Sequence, residues 1–214
     1  MIFLRKSDPF PPINLASKDG ILAIGGDLSQ NRLLTAYKSG IFPWYNQGEP
    51  IVWYAPPKRM VLFPDELKVS KSMRQVLKKE LFKVTFNQNF KEVIYRCKTI
   101  NRKDQTGTWI TDEMEEAYIK LHQLNIAKSV EVWQNNKLVG GLYGIDLGSV
   151  FCGESMFSLE SNASKVAFIH LVKQLKDQNY KVLDCQVYNN HLASLGAREI
   201  PRDSFMKILK NIEK

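Results

Sequence analysis

Two carboxylates interrupt apolar stretches of this chain in a way that could do chemistry. Glu154 lies between Gly153 and Ser155 in FCGESMFS (151–158), and Asp184 is followed by Cys185 and Gln186 in DCQ (184–186). Strand alternation puts Asp184 and Gln186 on one face and Cys185 on the other. A carboxylate and an amide converging on one substrate group suit holding an amine and accepting its proton. Glu154 on a neighbouring strand adds a second negative group and favours a cationic substrate. For any one of these residues taken alone, a satisfied hydrogen-bond fixer is the competing reading. Metal chemistry is not expected, because His122, His170 and His191 are isolated and no His/Cys/Asp cluster has ligand spacing. A carboxylate beside Cys185 raises its thiol pKa and argues against a cysteine nucleophile. There is no P-loop and no GxSxG elbow.

The elements that must position these groups follow from periodicity. Residues 139–145 and 149–152 read as strands joined by a turn at 146–148. Five glycines fall within 139–158, and a glycine inside a strand marks a bulge or a close approach. Residues 161–177 form a helix and 179–188 the next strand, followed by a short helix or turn at 191–195 and a last helix at 205–212. Upstream, the pattern predicts a helix over 111–124 capped by Thr111 or Asp112, then strands 127–134 and 137–145 around the Asn135-Asn136 turn. Earlier still come a strand at 21–24, a helix at 32–39 with Ser29 as its cap, a helix at 69–79 capped by Ser70, a strand at 82–86 and a helix at 90–97. A polar stretch at 99–107 reads as a loop. The whole is a mixed α/β (α+β) fold, a sheet covered by helices.

The 214 residues suffice for one large domain or two unequal ones, and 44% hydrophobic with 24% charged residues is ordinary globular composition. No apolar run approaches the ~20 residues needed to span a bilayer, and MIFLRKSDPFPP lacks a signal-peptide core. Three cysteines, odd in number and far apart, read as reduced thiols of a cytoplasmic protein. Of the net charge of +8, residues 58–103 carry 13 − 4 = +9 and the rest 17 − 18 = −1. Such a localised excess suits a polyanion, because Lys and Arg on a phosphate backbone release counterions. Phe42, Trp44, Tyr45, Trp53 and Tyr54 lie within thirteen residues; they read either as base-stacking faces or as a small aromatic core.

Several stretches together are specific. GGDLS (25–29), AYKSGIFPW (36–44), TGTWI (106–110), SVEVW (129–133), VGGLYG (139–144), FCGESMFS (151–158), NASKVA (162–167) and DCQ…N…SLGA (184–197) occur in this order. Along nearly the whole chain they resemble the leucyl/phenylalanyl-tRNA–protein transferases. The resemblance implies an ATP-, CoA- and metal-independent aminoacyltransferase, with no cofactor. It moves Leu or Phe, and less readily Met, from the acceptor end of aminoacyl-tRNA to proteins with N-terminal Arg or Lys, marking them for N-degron proteolysis. It also implies a small aromatic-rich N-terminal domain, 1–62, and a larger N-acetyltransferase-like (GNAT) domain, 63–214, with an alternative boundary near 105, in a cytoplasmic monomer without membrane association.

By the matching motifs, Asp184, Gln186 and Glu154 carry the catalysis, with Asp184 as base or as acceptor through Gln186. Asn189 orders the motif. Trp44, Trp109, Tyr37 and Tyr118 stand around the aminoacyl-adenosine end. Leu142, Phe151, Phe168, Leu171 and Leu175 form the side-chain cavity, beside Gly153 and Ser155. Phe151 and Glu154 have opposite parity on a regular strand, so a bulge is expected at Gly153. Lys58, Arg59, Lys71, Arg74, Lys78, Lys79 and Lys83 are the expected tRNA contacts. Tyr54, where the family often has Trp, and Lys128, where His is frequent, depart from the pattern. Two other readings stay open: a CoA-dependent N-acetyltransferase, which lacks a glycine-rich loop at SLESNASK, and a non-catalytic RNA-binding protein, which leaves Asp184 and Gln186 unexplained.

Overall fold

A computed structural model describes residues 2–100 and 108–210. The expected loop at 99–107, the alternative boundary near 105 and the first two residues of TGTWI fall mostly or wholly outside that range. The N-terminal part holds β1 (Phe3–Leu4), β2 (Ile21–Gly25), α1 (Gln30–Lys38), β3 (Phe42–Pro43) and β4 (Val52–Tyr54), whose strands form a sheet in the order β1-β2-β4-β3. Then come β5 (Lys58–Leu62), α2 (Lys71–Lys78), β6 (Lys83–Phe86), α3 (Phe90–Thr99), α4 (Asp112–Gln123), β7 (Ala127–Gln134), β8 (Lys137–Asp146) and β9 (Val150–Ser158). The chain continues through α5 (Ala163–Asp177), β10 (Val182–Gln186), α6 (Asn190–Ser194), β11 (Arg198–Pro201) and α7 (Arg202–Lys210).

The larger sheet has the order β11-β5-β10-β9-β8-β7-β6. Neighbours pair antiparallel except β9 and β10, which run parallel from Val182↔Val150 to Asp184↔Cys152 and then part. One face is covered by α3, α4, α7 and the small sheet, whose apolar residues merge into a single cluster with Tyr143, Cys152 and Phe157. The other face carries α2 and α5, packed on Leu142, Phe151 and Leu183. The mixed α/β class expected of the sequence is therefore the class of the chain. β5 joins β10 and β11, so residues 58–62 belong to the larger sheet and not, as expected, to the N-terminal domain. Pro56-Pro57, which ends the small sheet, is the local signal for that change.

Local chemistry accounts for the elements that hold the site. Ser70 and Thr111 cap α2 and α4 by accepting the amides of Met73 and Met114, each at 3.2 Å. Asn135 and Asn136, both left-handed at φ 50° and 60°, close the β7–β8 hairpin. A Cβ on Gly140 would stand 2.5 Å from that of Ala163, so this glycine lets α5 begin flush against β8. Of the clustered aromatics, Phe42, Tyr45 and Trp53 are core, while Trp44 is 40% exposed.

Candidate active site

The site forms where β9 and β10 part, and each strand is irregular there. On β9, Tyr143 pairs with Ser155 and Gly144 with Gly153, leaving Glu154 as an extra residue. The bulge expected at Gly153 is thus present, one residue on. It resets the strand: Phe151 and Met156 pack on the α5 side, while Cys152 and Phe157 pack on the opposite side. On β10, Asp184 pairs with Val61 and Gln186 with Met60, so Cys185 is the extra residue. Gln186 adopts φ 64°, a region that L residues enter at a cost.

These two bulges bring Glu154 and Gln186 together. Gln186 Nε2 donates to Glu154 Oε1 at 2.8 Å, and Tyr118 Oη donates to Oε2 at 3.0 Å. The Tyr37 and Tyr118 hydroxyls hydrogen-bond each other behind the carboxyl group. Burial raises the Glu154 pKa from 4.5 to about 7, against the hydrogen bonds of Tyr37 and Tyr118, which lower it. Both tyrosines are pushed well above 10, first by burial and then by the Glu154 charge, and remain donors. Burial likewise drives the Cys185 thiol upward, which leaves it a poor nucleophile.

Glu154 and Gln186 face a cavity of about 510 Å³. Trp44, Trp109, Leu142, Gly153, Ser155, Phe168, Leu171 and Asn189 also line it. Asn189 caps α6, its Oδ1 accepting the amides of His191 and Leu192 at 2.9 and 3.2 Å. Met156 and Leu183 complete the apolar floor and were not anticipated. The bulge itself was the signal for Met156, since it turns position 156 to the side of Phe168.

Other expected members lie elsewhere. Asp184 does not share a face with Gln186, because the extra residue breaks the alternation. Its side chain is fully buried and bonded to Arg59 by two contacts, Nε to Oδ1 at 2.8 Å and Nη2 to Oδ2 at 2.7 Å. Arg59 is 2% exposed, so it is not a surface contact for phosphate. Phe151 and Leu175 line a separate cavity of about 140 Å³, which shares only Leu171 with the larger one. Tyr37 and Tyr118 stand behind Glu154. Lys58, Lys71, Arg74, Lys78, Lys79 and Lys83 are exposed, and Lys58 pairs with Glu199 at 3.7 Å.

Residues 61–210 match the family described as leucyl/phenylalanyl-tRNA protein transferase, and residues 26–57 match its N-terminal domain. A leucyl/phenylalanyl-tRNA–protein transferase of Flavobacterium johnsoniae is 66% identical over 211 residues, covering 99% of this chain and 100% of its own. One of Syntrophus aciditrophicus is 59% identical over 207 residues, 97% of this chain and 87% of its own. Among solved structures, a GCN5-related N-acetyltransferase from Kribbella flavida aligns at 10% identity and a TM-score of 0.38, over 79% of this chain and 59% of its own. L-PGS from Bacillus licheniformis aligns at 12% identity and a TM-score of 0.42, over 79% of this chain and 54% of its own. The match spans 54% of the length of the second structure and 59% of the first. With both carboxylate-bearing motifs inside the matched segments, and a relative matched along its whole length at 66% identity, the chain belongs to the leucyl/phenylalanyl-tRNA–protein transferase family and is an aminoacyltransferase.

Proposed function

We propose that this enzyme moves leucine or phenylalanine, and less readily methionine, from the acceptor end of aminoacyl-tRNA to the α-amino group of proteins beginning with Arg or Lys. Proteins so modified become N-degron substrates, and the enzyme works as a cytoplasmic monomer. The observation that carries this is the Gln186–Glu154 bridge, an amide and a carboxyl 2.8 Å apart in a largely apolar cavity. The floor of Leu142, Met156, Phe168 and Leu171 suits an unbranched or γ-branched side chain, while crowding near Cβ disfavours Ile and Val. Trp44 and Trp109 offer faces on which the terminal adenine can stack.

An aminoacyl ester is already activated, so the enzyme has to place an amine beside it and remove a proton. The neutral amine nitrogen attacks the ester carbonyl carbon, forming the C–N bond. Glu154, titrating near 7, takes the proton from that nitrogen. The tetrahedral intermediate collapses with cleavage of the C–O bond, and the proton passes to the departing ribose oxygen. Gln186 fixes Glu154 and offers its carbonyl oxygen to the amine. Asp184 acts from behind, with Oδ1 accepting the Gln186 backbone N–H at 2.9 Å.

Transfer of labelled leucine from charged tRNA to a model protein beginning with Arg, without ATP or CoA, tests this. Wild type labels the protein, and Glu154→Ala loses about 10²–10⁴-fold in kcat while still binding tRNA. An active Glu154→Ala variant removes Glu154 from proton transfer. A wild type that stays silent with correctly charged tRNA removes the reading altogether.

A further inference from the structure

Arg59 occupies a position that neither phosphate binding nor the amine chemistry explains. Besides its two contacts to Asp184, its Nη1 donates to the Gly40 carbonyl at 3.2 Å. The rings of Phe42 and Phe205 lie 4.6 and 4.9 Å from its Cζ. The two groups it grips lead to two different segments of the cleft lining. Gly40 is two residues before Phe42, which with Pro43 and Trp44 lines the cleft. Asp184 holds the backbone of Gln186, which lines it from strand β10. Because Gln186 sits at φ 64°, its conformation depends on such a constraint from its surroundings.

We infer that Arg59 is a positioning residue for aminoacyl transfer, one guanidinium fork that fixes the catalytic strand end at Gln186 relative to the Trp44 wall. This rests on the reading of Gln186 and Glu154 as the groups that meet the amine. Only a planar fork can serve a carboxylate through two parallel bonds and still reach a carbonyl with its third nitrogen; an ammonium is a point charge. A buried ion pair adds little net stability over an apolar pair of the same shape, so stability alone does not account for placing one beneath the cleft.

Three variants test it: Arg59→Lys, the double variant Arg59→Met/Asp184→Leu, which leaves no unpaired buried charge, and Gln186→Ala. Melting temperature, KM for leucyl-tRNA and kcat are measured on each. Arg59→Lys is expected to melt close to wild type and keep KM within about 2-fold while kcat falls about 10–100-fold, the scale of a 1 Å misplacement. The double variant folds and loses at least as much kcat. A rise in KM with kcat intact would mark Arg59 as a tRNA contact, and a lower melting temperature with full kcat per folded molecule would make it merely structural; either outcome overturns the inference. A slow Gln186→Ala with a fully active Arg59→Lys overturns it alone, whereas a fully active Gln186→Ala sinks the site reading and the inference together.

Discussion

At Glu154 burial and hydrogen bonding oppose each other, and burial wins. Tyr37, Tyr118, Asp184 and Arg59 all act on this group: the tyrosines and Arg59 favour its charged form, and Asp184 disfavours it. The resulting pKa of about 7 gives a proton acceptor matched to neutral pH. Since a base must be deprotonated to act, kcat/KM should rise with pH through an acid limb near 7. Glu154→Gln should lose that limb along with most of the rate; a limb that persists in the variant belongs to another group. The same shift has a stability consequence. The folded value lies above the ordinary 4.5, so this group's contribution is complete below pH 4.5 and is lost as pH rises through about 7. The melting temperature of wild type relative to Glu154→Gln should fall across that window.

The two bulges decide which side chains meet, and the glycines around them are not equivalent. A Cβ at Gly144 would lie 2.3 Å from the Cys152 carbonyl oxygen and 2.4 Å from the Phe151 ring, so strand β8 would have to move. Gly144→Ala should cost about 3 kcal/mol, at the upper end of overpacking. At Gly153 the nearest atom is 3.6 Å away. Gly153→Ala should therefore melt like wild type but transfer more slowly, because the methyl group enters the cavity. Urea melts and transfer rates on the two variants check both halves, and equal destabilisation would place the bulge differently. Here legibility in the sequence also divides. Thr111, Ser70 and Asn135-Asn136 act through contacts within a few residues, so caps, hairpin and helix order could be read directly. The β9 bulge was readable because Phe151 and Glu154 conflict in parity. The β10 bulge carries no glycine to mark Cys185, so Asp184 was placed on the wrong face. Arg59 reads as one more cation in a basic run because its partner lies 125 positions away.

For the whole molecule, the charge balance and the shared core pull function in two directions. Apolar residues of both sheets merge into one cluster, and Arg59 spans the seam by bonding both Asp184 on β10 and the Gly40 carbonyl just before β3. The net charge of +8 is instead displayed outward. Lys71, Arg74 and Lys78 lie on α2, followed by Lys79, with Lys83 opening β6, and all five are exposed. Cations on phosphates contribute affinity through counterion release and carry no base information. If these residues hold tRNA, neutralising Lys71, Arg74 and Lys78 together should raise KM for aminoacyl-tRNA and leave kcat near wild type. The slope of log affinity against log salt should become shallower by about one per cation removed, or slightly less. Filter binding across a salt series, run beside single-turnover transfer at saturating tRNA, separates the two effects. An unchanged slope would move the tRNA contact off α2 and onto another basic surface, while a fall in kcat at saturation would mean that this helix helps to orient the acceptor end.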